Sequence, residues 1–148
     1  MNEPTLVAVG PADRAALEAM VRAYYAEDRL TFDEHRQGTA LAALLDGDGL
    51  GRAWLVRHGD AVVGYVVLTL GFSLESGGRD GFVDELYVVP TARGGGIGAR
   101  VLALVEAEAR ALGLKKLYLE VGHDNRASGL YRRAGFIDHA RHLMSKPL

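Results

Sequence analysis

The strongest constraint in this chain is a loss of side chains. In "TARGGGIGAR", four of the five positions from 94 to 98 are glycine. The run follows "GFVDELYVV" (81–89), an apolar stretch that reads as a strand. Pro90 closes that strand, since proline cannot donate to a central ladder. A segment over 96–112 comes next, with Ile97, Val101, Leu104, Val105 and Leu112 at helical spacing and Gly113 where a helix would end. Glycine inside regular structure costs roughly 0.5–1 kcal/mol against alanine, so this junction needs bare backbone. A helix N-terminus leaves N–H groups unpaired and carries partial positive charge, which favours anions and phosphate especially. Here the backbone of Gly94, Gly95, Gly96, Ile97 and Gly98 could approach a bulky diphosphate, and Arg93 offers a guanidinium fork for its oxygens.

The remaining pattern is mixed. "TLVAVG" (5–10) reads as a strand, and Pro11 and Asp13 mark a helix start. Leu17, Met20, Val21, Tyr24 and Tyr25 then trace one helix face. Residues 27–37 are polar and broken, and 39–49 predict a short helix ended by Gly47 and Gly49. Two apolar runs within 52–72 flank His58-Gly59-Asp60 and predict a hairpin, followed by a polar loop over 73–80. Residues 115–121 predict a strand, 125–134 a helix with Asn125 as its cap, and 136–148 a last strand or strand pair. No repeat or linker divides the chain, so one mixed α/β domain over 1–148 is expected.

Three diphosphate ligands compete for the cradle. A nucleoside-triphosphate loop needs Gly-Lys-Ser/Thr, and Ile97-Gly98-Ala99 is not that. Gly94, Gly96 and Ala99 do match a dinucleotide fingerprint, with Glu120 near the expected ribose-binding acid. A dinucleotide fold, however, wants more alternating strands and helices than one βαβ unit after a hairpin. The third ligand is acyl-CoA. "VVPTARGGGIG" resembles the Arg/Gln-x-x-Gly-x-Gly/Ala motif of the GNAT N-acetyltransferase superfamily, with Arg93, Gly96 and Gly98 in its spacing. "NRASGLYRRAGF" (125–136) is similar to that family's downstream signature, and the order of elements is similar across nearly the whole chain.

The resemblance implies a GNAT fold, a mostly antiparallel sheet flanked by helices, that moves an acetyl group from acetyl-CoA to an amine. It implies that the fourth and fifth strands splay, with the pantetheine arm lying against backbone of Leu86, Tyr87 and Val88. Attack by an amine needs a base for its proton, a donor for the developing oxyanion and an acid for the leaving thiolate. The resemblance supplies the Val88 backbone N–H as the donor and Tyr131 as the acid, and it brings Asn125 to the CoA arm. Asn125 and Tyr131 are six apart where seven is usual in the signature, and Asp124 stands at seven.

Three acids compete as the base: Asp84, Glu85 and Glu120. "VDELYVVP" is similar to the acidic pair of polyamine acetyltransferases within the superfamily. Strict alternation puts Asp84 on the face of Leu86 and Val88, and Glu85 on that of Tyr87, unless a bulge changes the parity. Glu75, Asp80, Glu27 and Asp28 extend the acidic region, so a small cationic amine is the expected acceptor. Net charge is −2, so nothing points to nucleic acid, and no apolar run reaches the ~20 residues of a membrane span. With no cysteine and no basic-then-apolar start, a soluble cytoplasmic protein is expected. His139 and His142 would point to opposite faces of a strand, so no metal is expected, and His123 is expected on a surface loop. A homodimer is the assembly common among similar enzymes.

Overall fold

The computed structural model describes residues 2–122, 125 and 127–148. In chain order it contains β1 (Thr5–Ala8), a 3₁₀ turn (Pro11–Asp13), α1 (Arg14–Glu27), α2 (Glu34–Leu45), β2 (Gly51–His58), β3 (Ala61–Ser73) and β4 (Gly78–Val88). A second 3₁₀ turn (Pro90–Ala92), α3 (Ile97–Ala111), β5 (Leu117–Tyr118) and α4 (Ser128–Arg133) complete it. The strands form one sheet in the order β1-β2-β3-β4-β5, antiparallel except for the parallel β4/β5 pair. The mixed sheet flanked by helices is therefore as the pattern foretold.

Strand alternation divides the core into two layers. On one face Val56, Val66, Leu68 and Val83 pack with Ile97, Val101 and Val105 of α3. On the other, Leu55, Tyr65, Val67 and Tyr87 pack with Leu17 and Val21 of α1, and Leu41, Leu44 and Leu45 of α2 close the edge. Each fully buried Val or Leu contributes about 1.5–3 kcal/mol by leaving water, so α1 and α3 are pinned by these stripes. Helix ends follow local chemistry. Asp13 Oδ2 accepts from the Gly10 N–H at 2.9 Å, and Asp33 Oδ1 accepts from the Arg36 N–H at 2.7 Å. The Asp33 cap starts α2 at Glu34, inside the region expected to be broken.

Other boundaries differ for non-local reasons. The β3/β4 hairpin pairs out to Ser73 and Gly78, so half of the expected 73–80 loop is strand. Only Leu117 and Tyr118 of the expected 115–121 strand pair with β4. The last helix begins at Ser128 rather than 125, after a turn in which Asn125 Oδ1 accepts from the Ala127 N–H at 2.8 Å. Residues 136–148 form no strand and pair with no edge of the sheet: Ile137 is 80% and Met144 89% exposed.

Candidate active site

Asp84 is an extra residue in β4. Val67 of β3 faces Glu85 while the next residue, Leu68, faces Val83, so Asp84 has no partner and the strand bulges there. The bulge reverses the faces of everything after it. Val83 and Leu86 both serve the α3 layer, while Glu85 and Tyr87 turn to the α1 layer. Asp84, as the bulged residue, is released from strict alternation with Leu86 and Val88, and its charge acts on Glu85 and on Tyr25 of α1.

Glu85 is the centre of a network drawn from three elements. Tyr65 of β3 donates its hydroxyl to Glu85 Oε1 at 2.7 Å, and Tyr25 of α1 donates to Oε2 at 2.9 Å. Around them Tyr24 lies edge-on to Tyr25 and to Tyr87, with ring centroids 5.7 and 6.1 Å apart. Tyr65 lies 6.0 Å from Tyr87 and Phe32 lies 5.8 Å from Tyr25. Burial raises the affinity of the Glu85 carboxyl for its proton, the two tyrosine donors lower it, and Asp84 raises it again; the net direction is up. Burial pushes the Asp84 carboxyl up as well. Tyr24 is pushed up to about 12 by burial, then by the charges of Asp28 and Glu85 and by Tyr131. Burial likewise raises Tyr131, so this phenol keeps its proton at neutral pH. Tyr131 of α4 thus acts on Tyr24, as Glu85 does.

Why α1 delivers two tyrosines here follows from its end. The Leu30 N–H reaches the Tyr25 carbonyl at 2.8 Å, closing a capping turn in which Arg29 takes the left-handed conformation at φ 57°. A non-glycine residue there costs roughly 1–2 kcal/mol.

Beside this network the sheet opens. β4 pairs with β5 only at Gly81 and Phe82, so residues 83–88 continue with no β5 partner among the described residues. The Val89 N–H points to Val63 of β3 at 2.8 Å. By alternation the Val88 N–H and C=O point the other way, into the gap. The gap ends at the glycine loop. Gly94 and Gly96 take left-handed φ values of 87° and 80°, and a Cβ on Gly94, Gly95 or Gly96 would meet nothing within 4 Å. The loop is therefore open above its backbone, which a bulky ligand requires.

A family model for acetyltransferases of the GNAT family matches residues 15–136. The chain belongs to the GNAT acetyltransferase family. It is 45% identical over 88 residues to an IAA acetyltransferase of Azospirillum brasilense, covering 59% of this chain and 55% of that protein. The chain thus matches about half the length of that relative. It is 36% identical over 111 residues to an aminoalkylphosphonate N-acetyltransferase of Salmonella typhimurium, covering 74% of this chain and 70% of that one. Among solved structures, integron cassette protein HFX_CASS3 from the Cole Harbour Salt Marsh metagenome superposes with a TM-score of 0.86 at 38% identity, covering 97% and 90% of the two chains. A Clostridium acetobutylicum acetyltransferase described with acetyl-CoA shares the fold, with a TM-score of 0.79 at 18% identity over 97% and 96%.

GNAT acetyltransferases use acetyl-CoA, and the residues present fit it. The splayed gap, the inward Val88 N–H and the open glycine loop suit an extended arm ending in a diphosphate. Several residues singled out in the sequence have other work. The Ile97 side chain is 5% exposed and belongs to the core, leaving only its backbone N–H for a ligand. Gly98 is a packing glycine, since a Cβ there would lie 3.1 Å from Leu130 Cδ2 of α4. Tyr87 is buried among aromatic rings, and Leu86 and Val88 pack on the α3 layer, so their side chains are structural. Arg93 does not reach into open space. It pairs with Glu27 at 2.7 Å, donates from Nε to the Val88 carbonyl at 2.8 Å and lies 5.6 Å over the Tyr87 ring. Asn125 is exposed and its side-chain oxygen is used in the turn before α4.

Glu120 is exposed beyond β5, and the hydrogen bonds of Glu85 go to Tyr25 and Tyr65 instead. The wider acidic region is also dispersed. Glu75 pairs at 3.8 Å with Arg141, and Glu27 is taken by Arg93. His123 and Asp124 lie outside the described residues. Among the described residues, no group of three or more His, Cys, Asp or Glu is placed to hold a metal, and no helix is long and apolar enough to cross a membrane. Sequence reasoning missed Tyr24, Tyr25 and Tyr65 as site residues, because a tyrosine on a core-facing stripe looks like packing. The available signal was four tyrosines on core-facing stripes with an acid among them.

Proposed function

We propose that this acetyltransferase transfers acetyl from acetyl-CoA to a small primary amine that carries positive charge, with Glu85 as the base. The observation that carries the reading is the Glu85 carboxylate, half-buried, held by two tyrosine hydroxyls and beside Asp84, with no cationic partner among the described residues. A carboxylate so placed attracts an ammonium group and can take its proton. The half-buried rings of Tyr24 and Tyr25 add π faces, which attract a cation.

When bound, acetyl-CoA supplies an activated acetyl thioester. Gly94 to Gly98 would hold its diphosphate through backbone N–H groups, and the open edge of β4 would hold its arm. Glu85 orients and deprotonates the amine. The Val88 N–H faces the gap as a donor for developing negative charge. Tyr131 keeps a proton available for a leaving thiolate. The acidic pair resembles that of polyamine acetyltransferases, which supports a cationic acceptor.

A second acceptor class is favoured by a different observation. A cleft of about 490 Å³ between α1 and α2 contains Arg14, Arg22 and His35 and reaches Phe32, which touches Tyr25. An amine carrying an anionic tail, like that in the Salmonella relative's name, could span the two. Arg14 and Arg22 are already paired with Glu18 and Glu34 at 3.1 and 2.8 Å, which weighs toward the cationic amine. The test is thiol release from acetyl-CoA with spermidine, glutamate and an aminoalkylphosphonate as acceptors, beside thermal shifts with acetyl-CoA and NAD. Spermidine should lead, and acetyl-CoA alone should stabilise. A lead by glutamate would overturn the acceptor class, and stabilisation by NAD alone would overturn the cosubstrate.

A further inference from the structure

We propose that Tyr65 and Tyr25 are positioning residues for the reaction, fixing the Glu85 carboxylate in its charged, proton-accepting form. The inference rests on Glu85 being the base, as proposed above.

A carboxylate offers about four lone-pair sites, and each tyrosine hydroxyl has one proton to give. Tyr65 gives its proton to Oε1 and Tyr25 gives its proton to Oε2, so both oxygens are bound from separate elements. Tyr65 is fully buried in β3, and Tyr25 stands near the end of α1. Two donors from two directions fix the plane of the carboxyl group, and lone pairs remain for an incoming amine. Hydrogen bonds to a charged acceptor are roughly twice as strong as neutral ones.

The surroundings single out these two groups. From α1, Tyr24 faces the site, with Asp28 acting on it. From β4, Asp84 adds negative charge and Tyr87 stacks on Tyr65. Arg93 over Tyr87 is neutralised by Glu27. From α4, the charge of Tyr131 acts on Tyr24. Burial and Asp84 both favour a protonated Glu85, and the two hydroxyls are what oppose them. Removing one hydroxyl lets the carboxyl hold its proton more tightly.

The experiment is the pH dependence of kcat/KM from pH 5 to 9, with saturating acetyl-CoA and spermidine or whichever amine leads the panel. Tyr65→Phe and Tyr25→Phe should each move the acid limb up by about one pH unit, a tenfold change in proton affinity. Below the limb the rate should fall about tenfold, while the plateau stays within about threefold. A uniform loss with the limb unmoved overturns the inference. Tyr25 is half-buried, so Tyr25→Phe decides the matter if Tyr65→Phe does not fold. Glu85→Gln separates the two levels. A rate loss of about 10²-fold or more with unmoved tyrosine profiles leaves Glu85 as the base and rejects only the positioning role. Wild-type rates in Glu85→Gln reject both.

Discussion

Around Glu85 the protein crowds side chains together; at residues 94–98 it strips them away. The first region is assembled from α1, β3 and β4, and its hydrogen bonds join residues 20 and 60 positions apart in the chain. The second is five consecutive residues whose conformation is almost wholly local. The contrast suggests how each should fail. A crowded network loses function when one hydroxyl or carboxyl is removed, because every member sets the proton affinity of the others. A bare loop loses function when anything is added.

The largest separation should come from Tyr131→Phe. It keeps the ring against Phe136, 6.2 Å away, and removes only the proton. The turnover number should fall by about 10²–10⁴-fold with the KM for acetyl-CoA within about threefold, measured by thiol release. Unchanged turnover would make Tyr131 a packing residue and leave the crowded region without an acid.

Next is Gly96→Glu, which adds a carboxylate where the structure has open space and a left-handed backbone. The fold should survive, while acetyl-CoA affinity falls by about 100-fold, or about 2.8 kcal/mol. Wild type with acetyl-CoA at ~100 times its dissociation constant should gain about 2.7 kcal/mol of stability, and the variant almost none. An equal thermal shift in both would mean that the bare loop serves packing alone.

Alanine scanning sharpens the comparison within the loop. Gly94→Ala and Gly96→Ala should each lower stability by about 1–2 kcal/mol, the cost of a left-handed non-glycine residue. Gly95, whose φ is not positive and whose Cβ would be free, should tolerate alanine within about 0.5 kcal/mol. Equal losses at all three positions, by chemical denaturation, would show that the backbone conformation is not what selects glycine.

Glu27→Gln should have the smallest effect. The Glu27–Arg93 pair is nearly half exposed, so its loss should cost under about 1 kcal/mol and less in high salt. The hydrogen bond from Arg93 holds the Glu27 carboxyl below its ordinary range. Its contribution is therefore present at neutral pH and lost as pH falls through that lowered value. Asp84 and Glu85 have the opposite sign. Their raised values mean that their contribution is fullest in acid and is lost as pH rises through those values. Stability against pH in the Glu27 and Glu85 variants should tilt in opposite directions, and parallel curves would contradict this account.

What the sequence revealed follows the same division. The strand, glycine run and helix over 81–112 were legible because proline, glycine and helical periodicity act within a few residues of themselves. The β2/β3 hairpin was legible for the same reason. The ion pair of Arg93 was not legible locally, because its partner Glu27 lies 66 residues away. Tyr25 and Tyr65 read as core residues, and in part they are; only the fold shows that their hydroxyls meet one carboxylate. Residues 136–148 carry enough apolar side chains for a strand, but a strand exists only where it pairs with the sheet, and no local pattern fixes that pairing. The face of Glu85 likewise turned on pairing, since the unpaired residue before it sends it to the α1 layer.

That unpaired residue has a consequence for how the molecule could be altered. A strand is read in a two-step phase, with alternate residues sent to opposite layers, and Asp84 is a single inserted beat. Before it Val83 falls on the α3 layer; after it the count restarts, and Leu86 falls there too. Deleting residue 84 would change the composition by one carboxylate. It would leave Val83 on the α3 layer and Glu85 on the α1 layer, because the two already oppose neighbouring residues of β3. Flattening the bulge so that Asp84 paired in turn, with no residue removed, would instead force a choice between the two halves of β4. If the downstream half kept its place, Val83 would swing toward the tyrosines and Phe82 toward the α3 core; if the upstream half did, Glu85 would be driven into an apolar layer. Either way the carboxylate and its hydroxyl donors would be set in a different environment with every residue retained, so this site depends on phase as much as on which residues it contains.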